Sequence, residues 1–400
     1  MPRPLLPIAD ARDLVLSACR PLGTESVPIA AARDRVLAAD LQASGDVPPF
    51  PCSAMDGYAV MPGPAGRTLT VVAESRAGLP ATHTLTDQEA IRISTGGAIP
   101  TGATAVIPQE NVDAHDGTIV TRSPVDPGAH VRGRGEDMRT GATVLTAGTV
   151  LEAAELGAAV AAGVAELTVA LRPKVQVLST GDELKAPGEP LGPGEIHNSN
   201  GPMLVALAEN QGAVCPPPDR LPDDPAATEQ GLAAALQTAD VIIVSGGVSV
   251  GPHDHVKPAL ARLGVKEIFW RVALQPGKPT WFGRRDDTLV FGLPGNPVSA
   301  AVTFALFVVP ALTKLQGKTP QRPLYDQASL ATAVPRNAER EQAMRVRLER
   351  HNGRITAIPN GPQGSHIVTS LLGADALALI PAGTGELEAG TLVALEPLAR

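Results

Sequence analysis

Apolar and polar positions change their period several times along the chain. In "IADARDLVLSACR" the apolar residues recur three and four apart, which predicts a helix over residues 11–20, with Asp10 as its cap and Pro21 after it. Between residues 47 and 150 the texture shifts to short alternating runs, such as "TLTVVAES" and "GTIVTRS", set between Gly/Pro turns. That is the pattern of a small β-domain. "VLEAAELGAAVAAG", residues 150–163, is Ala-rich and helical again. It is expected to pack with the N-terminal helix, which makes the β-region an insertion into a helical unit. From residue 174 branched apolar runs alternate with longer periodic ones. "KVQVLST", "DVIIVSGG" and "TLVFGLPG" predict strands; "GPMLVALAENQG", "ATEQGLAAALQTA", "HVKPALARLG" and "NPVSAAVTFALFVVPAL" predict helices. Such an alternation implies a mostly parallel sheet covered on both faces. Residues 320–323 read as a linker. Beyond it, "MRVRLERHNGRITAIP" predicts a hairpin turning at Asn352-Gly353, with Val346 and Leu348 against Ile355 and Ala357.

Composition narrows the classes. The 400 residues suffice for two or three domains with ample core. Aromatics are only 2%, so small aliphatic side chains must fill the cores, and Gly 40 with Pro 39, spread without a period, signals many turns. Lys+Arg 33 against Asp+Glu 41 gives a net charge of −8 with no basic run, which excludes nucleic-acid binding as the main function. A local anion site stays open. Cys19, Cys52 and Cys215 are odd in number and lack zinc-ligand spacing, as in a reducing cytoplasm. The N-terminus carries no signal-peptide pattern, and the longest apolar stretch, residues 298–312, is short and holds Pro310. A buried helix and a cytoplasmic protein off the membrane are expected.

The chemistry concentrates in three loops that follow the α/β strands: "STGDEL" (179–184), "SGGVSVGPHD" (245–254) and "GLPGNPVS" (292–299). In an open parallel sheet such loops gather at one edge, where ligands bind. Glycines let backbone N–H groups approach an anion, and a helix N-terminus adds its dipole. Asn296 suits an N-cap, with Pro297 at the first helical position. A single glycine-rich turn is usually only a turn, and none here has the Walker or GxGxxG pattern. Three in one domain, two of them with carboxylates, point to a phosphate-binding edge. Asp182, Glu183 and Asp254 beside a phosphate need a cation between them, and a hard ion such as Mg²⁺ takes one or two carboxylates plus phosphate oxygens. His253 and His255 flank Asp254 and point away from it in an extended loop, so they are expected to be solvated rather than zinc ligands. Asp56 in a Met-Asp-Gly turn, Thr95 in a Thr-Gly-Gly turn, and Glu136 and Asp137 in "RGRGEDM" are structural turn residues by spacing alone.

In order along the chain, "SAMDGYAV", "STGDEL", "SGGVSVG", "PGKP", "GLPGNPVSA" and "QGSH" together resemble the MoeA/gephyrin E-domain family, the molybdopterin molybdenumtransferases. The resemblance covers essentially the whole chain. It implies a multidomain α/β protein: a helical N-terminal unit (1–45 with 149–173), an inserted small β-domain (46–148), a MogA-like α/β sandwich with a parallel-rich sheet (174–319) and a C-terminal β-barrel-like domain (324–400). It further implies a homodimer in which the inserted domain of one chain faces the α/β cleft of the other. The implied reaction inserts molybdate into adenylylated molybdopterin and releases AMP, with Mg²⁺ or another divalent cation. Catalytic roles are implied for Asp56, Thr95, Asp137, Glu183, Asp223 and Asp254, the last three as metal ligands. Thr180, Gly181, Asp182, Ser245, Gly246, Gly247, Ser249, Pro294, Gly295, Asn296 and Pro297 would bind the molybdopterin substrate. Lys278, Ser299, Ser365, Arg340 and Arg345 suit molybdate, one charge plus hydroxyl donors. Two departures from the family concern the anion contacts: Gln275 stands where a lysine is common, and Arg271 is another basic position. Cys52, beside the Ser-Ala-Met-Asp run, has no nearby base and is incidental. A MogA-like adenylyltransferase and molybdoenzyme-maturation proteins are the implied partners. The competing class is a non-catalytic, peptide-binding scaffold of the gephyrin type, which has no need of Asp56, Glu183 and Asp254.

Overall fold

The computed structural model describes residues 4–248, 254–319 and 326–398. The run "VIIV" shows how the α/β part is built. Val241 and Ile243 point to one face of the sheet and Ile242 and Val244 to the other, and all four are fully buried. Each such side chain contributes roughly 1.5–3 kcal/mol on burial. Their strand, Val241–Ser245, sits in a six-stranded sheet ordered Asp219–Leu221, Val175–Thr180, Val241–Ser245, Thr288–Leu293, Trp281–Arg285, Lys266–Trp270. The first four strands are parallel, with Val177, Ile243 and Phe291 in register. The last two are antiparallel, an edge that the alternating pattern did not announce. Helices Pro225–Thr238 and Val256–Arg262 cover one face; Asn200–Asn210 and the long helix 297–315 cover the other.

The long helix is the core of this domain, buried at every position from Val298 to Val308. It is regular over Pro297–Thr303, widens to a π-turn over Phe304–Val308 and resumes over Val309–Leu315. In this π-turn the Val309 N–H bonds five residues back, to the Phe304 carbonyl, and Pro310 has no N–H to give. Arg12 reaches the same turn, its Nε donating to the Leu306 carbonyl at 3.3 Å.

The N-terminal helix spans Ile8–Ala18, follows Pro7, and holds Asp10 in its first turn rather than at its cap. It does not pack with the Ala-rich helix Ala153–Ala161. Its stripe of Ile8, Ala11, Val15 and Ala18 joins the cluster of Phe307, Leu312 and Leu315, and Lys314 Nζ donates to the Leu16 carbonyl at 2.8 Å. Helix Ala153–Ala161 lies instead with Leu37, Leu41, Leu151 and Val169, beside an antiparallel pair, Thr24–Pro28 with Glu166–Ala170.

Between these pieces a six-stranded sheet runs Ala105–Pro108, Gly57–Val60, Glu89–Ile93, Thr68–Ser75, Thr118–Thr121, Val112–His115, with an apolar cluster on each face. In the C-terminal region Glu341–His351, Arg354–Pro359, Gln327–Leu330, Leu392–Pro397 and Ala376–Ile380 pair in turn, and the last returns to the first, closing a five-stranded barrel. Asn352 and Gly353 turn the hairpin with φ of 49° and 78°, as a type I′ turn requires. Leu348 opposes Ala357 as expected, while Val346 opposes Pro359 and Ile355 opposes Arg350.

Candidate functional site

The three glycine loops meet at the C-terminal ends of the parallel strands, around a cavity of about 830 Å³. Gly246 and Gly247 adopt φ of 91° and 62°, a region that favours glycine. Packing alone already requires glycine at both positions. A Cβ on Gly246 would lie 2.8 Å from Thr180 Oγ1, and one on Gly247 would lie 2.7 Å from Val256 Cγ2. Gly295 differs: a Cβ there meets only Gly246 Cα, at 3.8 Å.

One residue outside the glycine motifs ties the loops together. Asn200, buried at the start of helix Asn200–Asn210, donates through Nδ2 to Ser245 Oγ at 2.8 Å and to the Gly295 carbonyl at 2.7 Å. Nothing in its local sequence marks it. Asn296 does sit at the cap position of helix Pro297–Thr303, but it makes no side-chain cap bond. Its Nδ2 donates instead to Ser365 Oγ at 3.1 Å, joining the third loop to the C-terminal region.

Glu183, Asp223 and Asp254 all line this cavity, together with Thr180, Gly181, Ser245, Gly246, Gly247, Pro294, Gly295, Asn296 and Pro297. Asp182 is exposed and does not line it. Its N–H donates to Asp223 Oδ2 at 3.4 Å, and the Asp223 N–H donates to Asp182 Oδ1 at 3.2 Å, so each acid fixes the other's loop. Among the described residues no three His, Cys, Asp or Glu side chains gather closely enough to cage a metal. The three acids are therefore on the walls of one cavity without forming a protein-only site. Hard carboxylate donors beside glycine N–H groups fit a Mg²⁺ ion that completes its shell with phosphate oxygens and water. Ser249, Gly251 and His253 lie outside the described residues; His255 precedes helix Val256–Arg262 and makes no cap bond through its side chain.

A second cavity, of about 590 Å³, adjoins the first, and Pro279, Pro294 and Asn296 line both. Its walls include Lys278, Ser299, Arg340, Arg345 and Ser365, all five of the residues assigned to an oxyanion. Arg345 is 1% exposed. Its guanidinium donates to Ser370 Oγ and to the carbonyls of Pro362 and Gly364, and burial pulls its pKa down to about 10. It thus frames the loop that carries Ser365. Gln275 also lines this cavity and accepts from Asn337 Nδ2 at 2.7 Å. Arg271 lines neither cavity and stacks on Trp270, 4.1 Å from the ring centre.

Asp56, Thr95 and Asp137 line neither cavity. Asp56 and Thr95 are nevertheless a unit: Asp56 Oδ1 accepts from the Thr95 N–H at 2.7 Å and from its Oγ1 at 2.9 Å. These bonds hold the Asp56 carboxyl below its usual range. Cys52 is buried in the strand Cys52–Ser53.

An α/β domain with a glycine-lined edge cavity, together with an inserted β-sheet region and a closed five-stranded barrel, defines a multidomain mixed α/β protein. The sequence matches three family descriptions: the MoeA N-terminal region (domain I and II) over residues 6–163, the probable molybdopterin binding domain over 176–314, and the MoeA C-terminal region (domain IV) over 327–398. It is 40% identical to molybdopterin molybdenumtransferase 2 of Mycobacterium tuberculosis over 392 residues, covering 94% of this chain and 95% of that protein. It is 36% identical to the molybdopterin molybdenumtransferase of Haemophilus influenzae over 386 residues, covering 94% of each. The crystal structure of the molybdopterin biosynthesis MoeA protein from Pyrococcus horikoshii OT3 superposes with a TM-score of 0.82 at 31% identity, over 98% of this chain and 100% of that one. The chain belongs to the molybdopterin molybdenumtransferase (MoeA) family.

Proposed function

We propose that the protein acts in molybdenum cofactor biosynthesis by inserting molybdate into adenylylated molybdopterin with release of AMP. The observation that carries this reading is the junction of the two cavities. A glycine and carboxylate cradle opens, across Pro279, Pro294 and Asn296, onto a pocket lined by Lys278, Arg340 and Ser365. A phosphorylated dithiolene ligand and a tetrahedral oxyanion are thereby held side by side, which lowers the entropic cost of their reaction.

The Ser245–Gly247 backbone and Thr180 bind the pyrophosphate of the substrate. Lys278, Ser299 and Ser365 orient molybdate through one charge and two hydroxyls. A divalent cation such as Mg²⁺, held by Glu183, Asp223 and Asp254, would neutralise charge between the acids and the phosphates. The working form is a cytoplasmic homodimer, with Asp56, Thr95 and Asp137 of one chain completing the cavity of the other. Its substrate comes from a MogA-like adenylyltransferase and its product passes to molybdoenzyme-maturation proteins. A pure scaffold of the gephyrin type is not favoured, because it leaves the carboxylate-walled cavity without a use. The test is Asp254→Asn. Asp254 precedes a helix in a loop, so the thermal melt should stay within a few degrees of wild type while AMP release from adenylylated molybdopterin is lost. Wild-type AMP release by that variant would refute the role of the acids.

A further inference from the structure

Asp46 lies where the chain enters the inserted sheet region, and its carboxylate is engaged on both oxygens. Oδ1 accepts from the Thr140 N–H at 2.8 Å and from Thr140 Oγ1 at 2.9 Å, and Oδ2 accepts from Arg134 Nε at 2.6 Å. Arg134 and Thr140 stand three residues before and three residues after Asp137. The backbone adds a second row of stitches: Gly135 N–H donates to the Pro48 carbonyl at 2.9 Å, and the N–H groups of Asp137 and Met138 donate to the Val47 carbonyl at 2.9 and 3.2 Å. Asp137 is exposed, and among the described residues its own carboxylate accepts no hydrogen bond. Its position is thus set by the backbone of this loop alone.

The arrangement mirrors Asp56 with Thr95, one carboxylate oxygen taking both the N–H and the hydroxyl of a threonine. The difference lies in the second oxygen. Among the described residues that of Asp56 accepts no hydrogen bond, whereas that of Asp46 carries the Arg134 guanidinium. Asp56 keeps a free oxygen for chemistry; Asp46 has spent both on the loop. The bonds from Thr140 and Arg134 also push the Asp46 carboxyl down to about 2, so the clamp stays ionised throughout the neutral range.

We infer that Asp46 is a positioning residue, which fixes the 134–140 loop so that the carboxylate of Asp137 is presented in one place for the reaction. The inference rests on Asp137 taking part in that reaction. It predicts that Asp46 matters only through Asp137.

A double-mutant cycle on the full-length protein tests it. AMP release from adenylylated molybdopterin is measured in wild type, Asp46→Ala, Asp137→Asn and the double variant, with thermal melts on the same samples. Misplacing a reacting group by an ångström costs up to about 100-fold. Asp46→Ala should therefore lower kcat roughly 10- to 100-fold, with KM changed less than about threefold, and add less than about twofold once Asp137→Asn is present. Thr140→Val, which removes only the hydroxyl bond, should give a smaller loss of the same kind if Asp46→Ala melts too low to assay. Full additivity alongside a defective Asp137→Asn would overturn the inference and leave the role of Asp137 intact. A wild-type rate for Asp137→Asn would remove that role, and the inference with it.

Discussion

Replacing Gly295 by alanine should separate ligand binding from folding, which replacing Gly247 cannot do. At Gly247 the backbone φ is 62°, a conformation that costs an L-residue roughly 1–2 kcal/mol. The new Cβ would also press on Val256 Cγ2 at 2.7 Å and Thr180 Oγ1 at 2.9 Å, and overpacking of that kind adds about 1–3 kcal/mol. Gly247→Ala should therefore lose roughly 2–5 kcal/mol and melt about 5–15 °C lower. At Gly295 the nearest atom to the added Cβ is Gly246 Cα at 3.8 Å, an ordinary contact, so the fold should be unchanged or gain up to about 1 kcal/mol. That methyl group sits in the cavity beside the Gly246 backbone, where the proposed function puts the phosphate. Displacing the phosphate from one charge-assisted hydrogen bond costs about 1.5–3 kcal/mol, which is a rise in Kd of roughly 10- to 100-fold. The assay is titration of adenylylated molybdopterin, with melts on the same samples. Wild-type affinity in Gly295→Ala would refute the placement of the ligand against this loop, and an unchanged melt in Gly247→Ala would refute the packing argument.

Arg345→Met should destabilise the barrel by roughly 1–3 kcal/mol in urea melts, because the buried Ser370 Oγ loses its guanidinium donor and the loop carbonyls of Pro362 and Gly364 lose theirs. Burial raises the Cys19 thiol to about 11, so iodoacetamide at pH 8 should alkylate it far more slowly in the native protein than in denaturant, with the native rate climbing as pH approaches that value. Mixing an inactive Asp56→Ala chain with an inactive Glu183→Ala chain should restore part of the activity through hybrid dimers; no recovery, with subunit exchange demonstrated, would place both residues in one chain's site.

What the sequence reveals here depends on how local the cause is. The α/β strands are legible because "VIIV" and "TLVF" can be buried only between two helical layers, and the turn at Asn352-Gly353 because two positive φ angles in sequence leave few residue choices. The glycine loops are legible as turns at the strand ends for the same reason, and they line one cavity. The antiparallel edge strands Lys266–Trp270 and Trp281–Arg285 are not legible, since their aromatic and charged residues follow no clean alternation and their pairing is fixed by partners along the sheet. Asn200 escapes notice because its two acceptors, Ser245 and Gly295, are distant in sequence and meet only in the folded domain. The docking of the N-terminal helix escapes for a similar reason. Its Arg12 is tied to the Leu306 carbonyl, in a π-turn about three hundred residues further on.

In the proposed function one cavity system holds a molybdopterin nucleotide and molybdate together for reaction. The most direct measurement is AMP release when the purified protein is mixed with adenylylated molybdopterin. The account predicts release that requires both Mg²⁺ and molybdate, with molybdenum appearing on the dithiolene as AMP appears. No release under those conditions, or release that is indifferent to molybdate, would contradict it.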